Sequence, residues 1–206
     1  MREPEGLRPL IAILRGLEPD EAVAVGEALI EAGIAMIEVP LNSPQPFESI
    51  ERIAARFCDR AWIGAGTVTR TEEVAPLLAA GGCYAVSPDC QPDVIRASKA
   101  AGLASYPGVF TPSEALLALR SGADALKFFP AFLLGSDGFA AIRAVLPEGT
   151  RSYAVGGIGA DDFASWLDAG ISGFGIGSAL FKPGRPAAEI AAAARDMVQA
   201  YDDAVA

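Results

Sequence analysis

The chain has 206 residues, 51% of them hydrophobic, which suits one core of ordinary domain size and leaves little for a second. Basic residues number 16 against 26 acidic, a formal charge of −10 that opposes general attraction to nucleic-acid backbones or anionic membranes, so an anionic ligand must be held by local donors. Histidine is absent, which removes Ser-His-Asp and Cys-His triads, zincin motifs and the 2-His-1-carboxylate iron site together and leaves proton transfer to carboxylates, lysine, tyrosine or cysteine.

No apolar run reaches the ~20 residues that a membrane-spanning helix needs. The acidic start, Met1-Arg2-Glu3-Pro4-Glu5, lacks the basic-then-apolar layout of a signal peptide, so a cytoplasmic location is expected. Met1 to Arg8 is expected to form a short cover over one end of the fold. Beyond it, short β-rich runs alternate with alanine-rich or amphipathic helical stretches. Strands are predicted at Leu10 to Arg15, Ala35 to Leu41, Trp62 to Val68, Tyr84 to Pro88, Ala104 to Val109, Ala125 to Pro130, Arg151 to Gly156 and Gly173 to Gly177. Most are nearly continuous apolar runs, as in parallel strands covered by helices. Helix starts carry caps, proline or acids at Pro19-Asp20-Glu21, Thr71-Glu72-Glu73, Thr111-Pro112-Ser113-Glu114 and Ala160-Asp161-Asp162. Helix-ending glycines are expected at Gly33, Gly81, Gly102, Gly122, Gly149 and Gly170, with one helix closing near Cys58 and Asp59 without a glycine, and the last running from about Pro186 to Ala204. The pattern predicts a single-domain α/β protein, a short-looped (β/α)8 TIM barrel. An open doubly wound sheet fits less well, because the first turn is Arg15-Gly16-Leu17-Glu18, with no GxGxxG. Cys58, Cys83 and Cys90 are too irregularly spaced for a disulfide framework or zinc ribbon; burial as small apolar side chains is expected of the first two.

In such a barrel the chemistry lies at the C-terminal strand ends. Lys127 is the one charge in Ala125-Leu126-Lys127-Phe128-Phe129-Pro130. It is either a desolvated amine able to attack a carbonyl, or a lysine whose stem packs while its ammonium reaches solvent. Glu38, alone in Met36-Ile37-Glu38-Val39-Pro40-Leu41, reads as a general acid/base or as a salt-bridge partner of Arg15, and the two readings are compatible. Arg15 and Thr67, the latter after Gly64-Ala65-Gly66, suit a substrate carboxylate; Thr67 alone reads equally as a strand-end or cap threonine. Gly156-Gly157 and Gly175-Ile176-Gly177-Ser178 follow strands seven and eight, the usual barrel phosphate site. Together these positions describe a phosphorylated keto acid as substrate.

The motifs Ile63-Gly64-Ala65-Gly66-Thr67-Val68, Ser87-Pro88, Tyr106-Pro107-Gly108, Leu126-Lys127-Phe128-Phe129-Pro130 and Gly156-Gly157-Ile158, with Arg15 and Ile37-Glu38, resemble the KDPG and KDPGal aldolases from Leu10 to about Tyr201. The resemblance implies a class I aldolase without metal or cofactor. It makes Lys127 the Schiff-base lysine and Glu38 the acid/base, places Arg15 and Thr67 at the pyruvyl end, and places Gly156, Gly157, Gly177 and Ser178 at the phosphate. It also implies a homotrimer, for which Phe47, Phe132 and Leu133 are candidate contacts. Glu38-Val39-Pro40-Leu41-Asn42-Ser43-Pro44 and Val155 resemble the phosphogalactonate branch, where an apolar Val155 in place of a hydroxyl favours the galactonate epimer. The alternatives are a phosphogluconate or 4-hydroxy-2-oxoglutarate aldolase of the same family, another phosphosugar barrel such as an isomerase, epimerase or thiamin-phosphate-type synthase, or a non-catalytic phosphosugar-binding barrel.

Overall fold

The structure is a computed structural model that describes Pro4 and residues 6–206. Strand and helix alternate as β1 (Leu10–Ile13), α1 (Pro19–Glu31), β2 (Met36–Pro40), α2 (Pro46–Phe57), β3 (Trp62–Gly66), α3 (Val74–Ala79), β4 (Tyr84–Val86), α4 (Pro92–Ala100) and β5 (Ala104–Tyr106). They continue as β6 (Gly108–Val109), α5 (Pro112–Arg120), β7 (Leu126–Phe128), α6 (Ala131–Arg143), β8 (Ser152–Val155), α7 (Phe163–Asp168), β9 (Gly173–Ile176) and α8 (Ala187–Val205). Single 3-10 turns at Thr71–Glu73 and Ala160–Asp162 lead into α3 and α7.

The strands pair in parallel in the order β5-β4-β3-β2-β1-β9-β8-β7-β6. The two outermost are halves of one stave. Pro107 has no N–H for a ladder and divides the fifth expected strand, so β5 pairs with β4 while β6 pairs with β7 through Gly108↔Lys127 and Val109↔Phe128. Bonds from Asp124 N–H to Ser105 O (3.0 Å) and Lys127 N–H to Pro107 O (2.9 Å) carry the pairing across the break. The ring is thus the expected (β/α)8 barrel with its fifth stave split.

Period-two alternation divides the apolar residues into an inner and an outer cluster. Ile11, Ile13, Met36, Trp62, Tyr84, Tyr106, Tyr153 and Val155 fill the barrel, while Leu10, Ala12, Ile37, Val39, Phe128 and Phe174 face the helices. Aromatic contacts plug the interior: Trp62 stacks on Tyr84 with centroids 4.4 Å apart, and Tyr106 on Tyr153 at 5.3 Å. Each such pair adds ~0.5–1.5 kcal/mol beyond its buried area. Gly64 makes room for this plug, since a Cβ there would lie 2.6 Å from Tyr84 Cδ1.

The helix boundaries follow local chemistry. Thr111 caps α5, accepting from Glu114 N–H while the Glu114 carboxylate accepts from Thr111 N–H. Gly33, Gly81, Gly102, Gly122 and Gly170 end their helices in the left-handed region, φ 82° to 101°. Gly149 does not: α6 has stopped at Arg143, and Gly149 (φ 77°) shapes the turn into β8 instead. The glycine-less helix is α2, whose C-cap is Cys58. That position overturns the expected burial of Cys58, because the chain turns away from the core there and the thiol is exposed; Cys83 is only half-buried, and Cys58, Cys83 and Cys90 are all free. Of the expected cover, Met1 to Glu3 and Glu5 lie outside the described residues; Leu7 packs against the inner cluster, and Arg8 bonds Asp202 of α8 at 2.8 and 2.9 Å. Among the described residues no helix is long and apolar enough to cross a membrane.

Candidate active site

The alternation that fills the barrel also selects what faces its C-terminal mouth. Glu38 pairs with inward-facing Ile13, and Lys127 with inward-facing Tyr153, so both charges point inside. The same periodicity carries Phe129 after Lys127, Arg15 after Ile13 and Gly177 after Gly175 onto the mouth. There they line a cavity of about 790 Å³ with Val155, Gly156, Gly157, Ile158, Ser178 and Lys182. Seven of the nine expected site residues line it: Arg15, Lys127, Val155, Gly156, Gly157, Gly177 and Ser178. Glu38 and Thr67 are not among its lining residues.

Lys127 is buried, and its Nζ lies 5.0 Å from the Phe129 ring centroid. Burial pushes the amine below the ordinary lysine range; the Glu38 carboxylate opposes this and Arg15 adds to it. The packed-stem reading with its ammonium in solvent is thereby corrected, since Lys127 is only 6% exposed and lines the cavity. Glu38 is 1% exposed, inside the barrel and not at its rim. Burial pushes its carboxyl above the usual carboxylate range, and the fields of Lys127 and Arg15 pull it back. This is a mutually tuned pair, an amine biased toward neutrality beside a carboxyl biased toward holding its proton.

Glu38 fits because of Gly66. The register Pro40↔Gly66 sets the β3 backbone beside the Glu38 side chain, and a Cβ on Gly66 would lie 2.5 Å from Glu38 Cδ and 2.8 Å from Cγ. The glycine therefore admits the protein's own carboxylate, a role that the sequence alone assigns to a substrate carboxylate. Arg15 lies beyond the end of β1 and is exposed; its Nη1 donates to Asn42 Oδ1 at 2.5 Å. The expected salt bridge between Arg15 and Glu38 is thus replaced by an amide contact, and Arg15 acts on Glu38 through its field. Ser43 Oγ accepts from Gly16 N–H (2.9 Å), pinning the turn that carries Arg15. Thr67 follows β3 with φ 57°, a left-handed conformation uncommon for a β-branched residue, so it bends the chain where a strand end was expected.

In the same cavity wall Gly156 and Gly157 have φ 96° and 72°, and a Cβ on Gly157 would lie 2.7 Å from Phe132 Cβ. Among the described residues no acceptor engages the N–H groups of Gly157, Ser178 or Ala179, which leaves donors for an anion. Ile13, Phe129, Ile158, Asp162 and Lys182 also line the cavity and were missed in the sequence. The first two follow from extending the inward alternation by one step. Cys90 contacts Glu114 O through its Sγ at 3.4 Å and packs against the outer core, away from the cavity lining. Among the described residues no three His, Cys, Asp or Glu side chains converge as a metal-binding group.

The chain is 51% identical over 195 residues to the probable 2-dehydro-3-deoxy-6-phosphogalactonate aldolase of Rhizobium meliloti (strain 1021), spanning 95% of this chain and 92% of that protein. It is 44% identical over 197 residues to the 2-dehydro-3-deoxy-6-phosphogalactonate aldolase of Escherichia coli (strain K12), spanning 96% of each. A solved structure described as native KDPGal matches with a TM-score of 0.96 at 43% identity, covering 100% of this chain and 99% of that one. With residues 6–191 also matching the profile described as KDPG and KHG aldolase, the chain belongs to the KDPG and KHG aldolase family.

Proposed function

We propose that this chain is a class I aldolase that cleaves 2-dehydro-3-deoxy-6-phosphogalactonate to pyruvate and D-glyceraldehyde 3-phosphate. The observation that carries the reading is the buried Lys127 amine, biased toward neutrality, in a cavity that also offers glycine N–H donors. In this reading neutral Lys127 Nζ attacks the C2 ketone, and loss of water gives an iminium that serves as electron sink. Glu38 takes the proton of the C4 hydroxyl, the C3–C4 bond breaks, and its electron pair forms the enamine as glyceraldehyde 3-phosphate departs. Glu38 then returns a proton to C3, and water hydrolyses the resulting iminium to release pyruvate and the free lysine.

Arg15 takes the pyruvyl carboxylate, with Thr67 beyond the end of β3, two strands away, while Gly156, Gly157, Gly177 and Ser178 take the phosphate. Val155, 6% exposed in the cavity wall, presents methyls where a hydroxyl would bond one C4 epimer, which supports the galactonate preference. We read the protein as a cytoplasmic homotrimer. Phe132 and Leu133 are 64% and 65% exposed, which suits a subunit contact, whereas Phe47 packs against the core and is the weaker candidate. Three free thiols suit a reducing compartment. The test is turnover of both phosphorylated epimers side by side, with sedimentation of the same preparation. Faster cleavage of the galactonate epimer is expected, and equal or reversed rates refute the substrate assignment.

A further inference from the structure

We propose that Lys182 is a further substrate-binding residue, the side chain that supplies net positive charge to the substrate's phosphate at the glycine end of the cavity. The proposal rests on the reading that this end takes phosphate. Backbone N–H groups provide dipoles but no net charge, and the chain as a whole carries −10. Among the described residues lining the cavity, the cations are Arg15, Lys127 and Lys182. Lys127 is the buried amine, and Arg15 donates to Asn42. Lys182 has no ion-pair or hydrogen-bond partner for its side chain among the described residues, and it follows Ser178 and Ala179 on one continuous loop.

The loop is built to hold that lysine in place. Arg185 N–H donates to Lys182 O at 3.0 Å, with Pro183 and a left-handed Gly184 (φ 78°) between them. This is the sequence and geometry of a type II turn with Lys182 at its first position. Pro183 abuts Gly16, where a Cβ would lie 2.7 Å from its Cγ, so the turn is braced against the turn that carries Arg15. The neighbouring cation, Arg185, spends its guanidinium on Ala179 O and Leu180 O at 3.2 and 2.9 Å, fixing the loop from behind. One basic residue is structural and the other is left free at the cavity. Asp162, the carboxylate lining the same cavity, accepts from Gly159 N–H at 2.8 Å, which fixes it on the neighbouring loop.

The test is calorimetric titration with sn-glycerol 3-phosphate, an unreactive three-carbon phosphate, at low and moderate ionic strength, on the wild type, Lys182→Gln and Lys182→Arg. Thermal melts confirm that each variant is folded, and glycerol serves as the uncharged control. Lys182→Gln should bind the phosphate ~10-fold more weakly and with a shallower salt dependence, the loss expected for one charge-assisted contact. Lys182→Arg should stay within ~3-fold of wild type, since it keeps the charge and a comparable reach. Unchanged affinity in Lys182→Gln, an equal loss in Lys182→Arg, or a wild type that does not bind the phosphate overturns the proposal. The titration involves no chemistry, so a wild type that binds but does not cleave the phosphogalactonate refutes the aldolase reading and leaves the Lys182 result standing on its own.

Discussion

The closest fit in the site is between Gly66 and Glu38, and adding one methyl there tests whether the position of the carboxylate governs activity. In Gly66→Ala the new Cβ would overlap Glu38 Oε1 outright and lie 2.5 Å from Cδ, where ordinary contact begins at 3.4 Å, so the carboxylate must retreat by at least 3.4 − 2.5 = 0.9 Å. The displaced group has nowhere to go at no cost, because Glu38 is 1% exposed and hemmed by the barrel interior. A misplacement of ~1 Å in a group that transfers protons costs ~10²-fold in rate. The same methyl should destabilise the fold by ~1–3 kcal/mol through overpacking. The assay is steady-state cleavage of 2-dehydro-3-deoxy-6-phosphogalactonate, with a melting curve to show that the variant is folded at the assay temperature. A kcat fall of about this size in folded protein is expected. Wild-type kcat in folded Gly66→Ala refutes the account of Gly66 as the space that Glu38 occupies.

Three further outcomes follow from the same geometry. Glu38 raises the Lys127 pKa while burial and Arg15 lower it, so Glu38→Gln should move the rise of pyruvate-dependent borohydride trapping to lower pH and cut turnover by ~10²–10⁴-fold; a shift to higher pH contradicts the assigned coupling. Because the folded Lys127 pKa lies below the unfolded value, protonation favours unfolding at neutral pH. Lys127→Met should therefore raise Tm there by ~2–4 °C for ~1 kcal/mol, a gain that fades as pH rises through the ordinary lysine range where the unfolded amine is neutral too; an unchanged or lower Tm at neutral pH counts against the burial argument. Val155→Thr, nearly isosteric in the cavity wall, should shift the kcat/KM ratio of the two epimers toward the gluconate form by ~10-fold, and an unmoved ratio removes Val155 from substrate choice.

Much of this architecture is written in local chemistry. Helix-ending glycines, first-turn acids and apolar strands act over a few residues, and they place every stave. The split of the fifth is set by Pro107, whose missing N–H matters only once neighbours on both sides are known. Lys127 and Glu38 stand out because each is a lone charge in an apolar strand, and inward alternation brings both into the barrel. What escapes the sequence depends on register between strands or on loop shape. Gly66 meets Glu38 only through the pairing of β2 with β3, and Arg15 finds Asn42 because two turns meet above the strands. Lys182 reads as an ordinary surface charge until its turn is seen braced on Gly16. Cys58 misleads because average burial of cysteine says nothing about a helix C-cap facing solvent.

The most direct measurement is borohydride reduction of the protein in the presence of pyruvate, followed by peptide mass analysis. The account predicts one pyruvyl adduct, on Lys127, that requires pyruvate and disappears in Lys127→Ala together with cleavage activity. An adduct on a different lysine, or full turnover by Lys127→Ala, contradicts it.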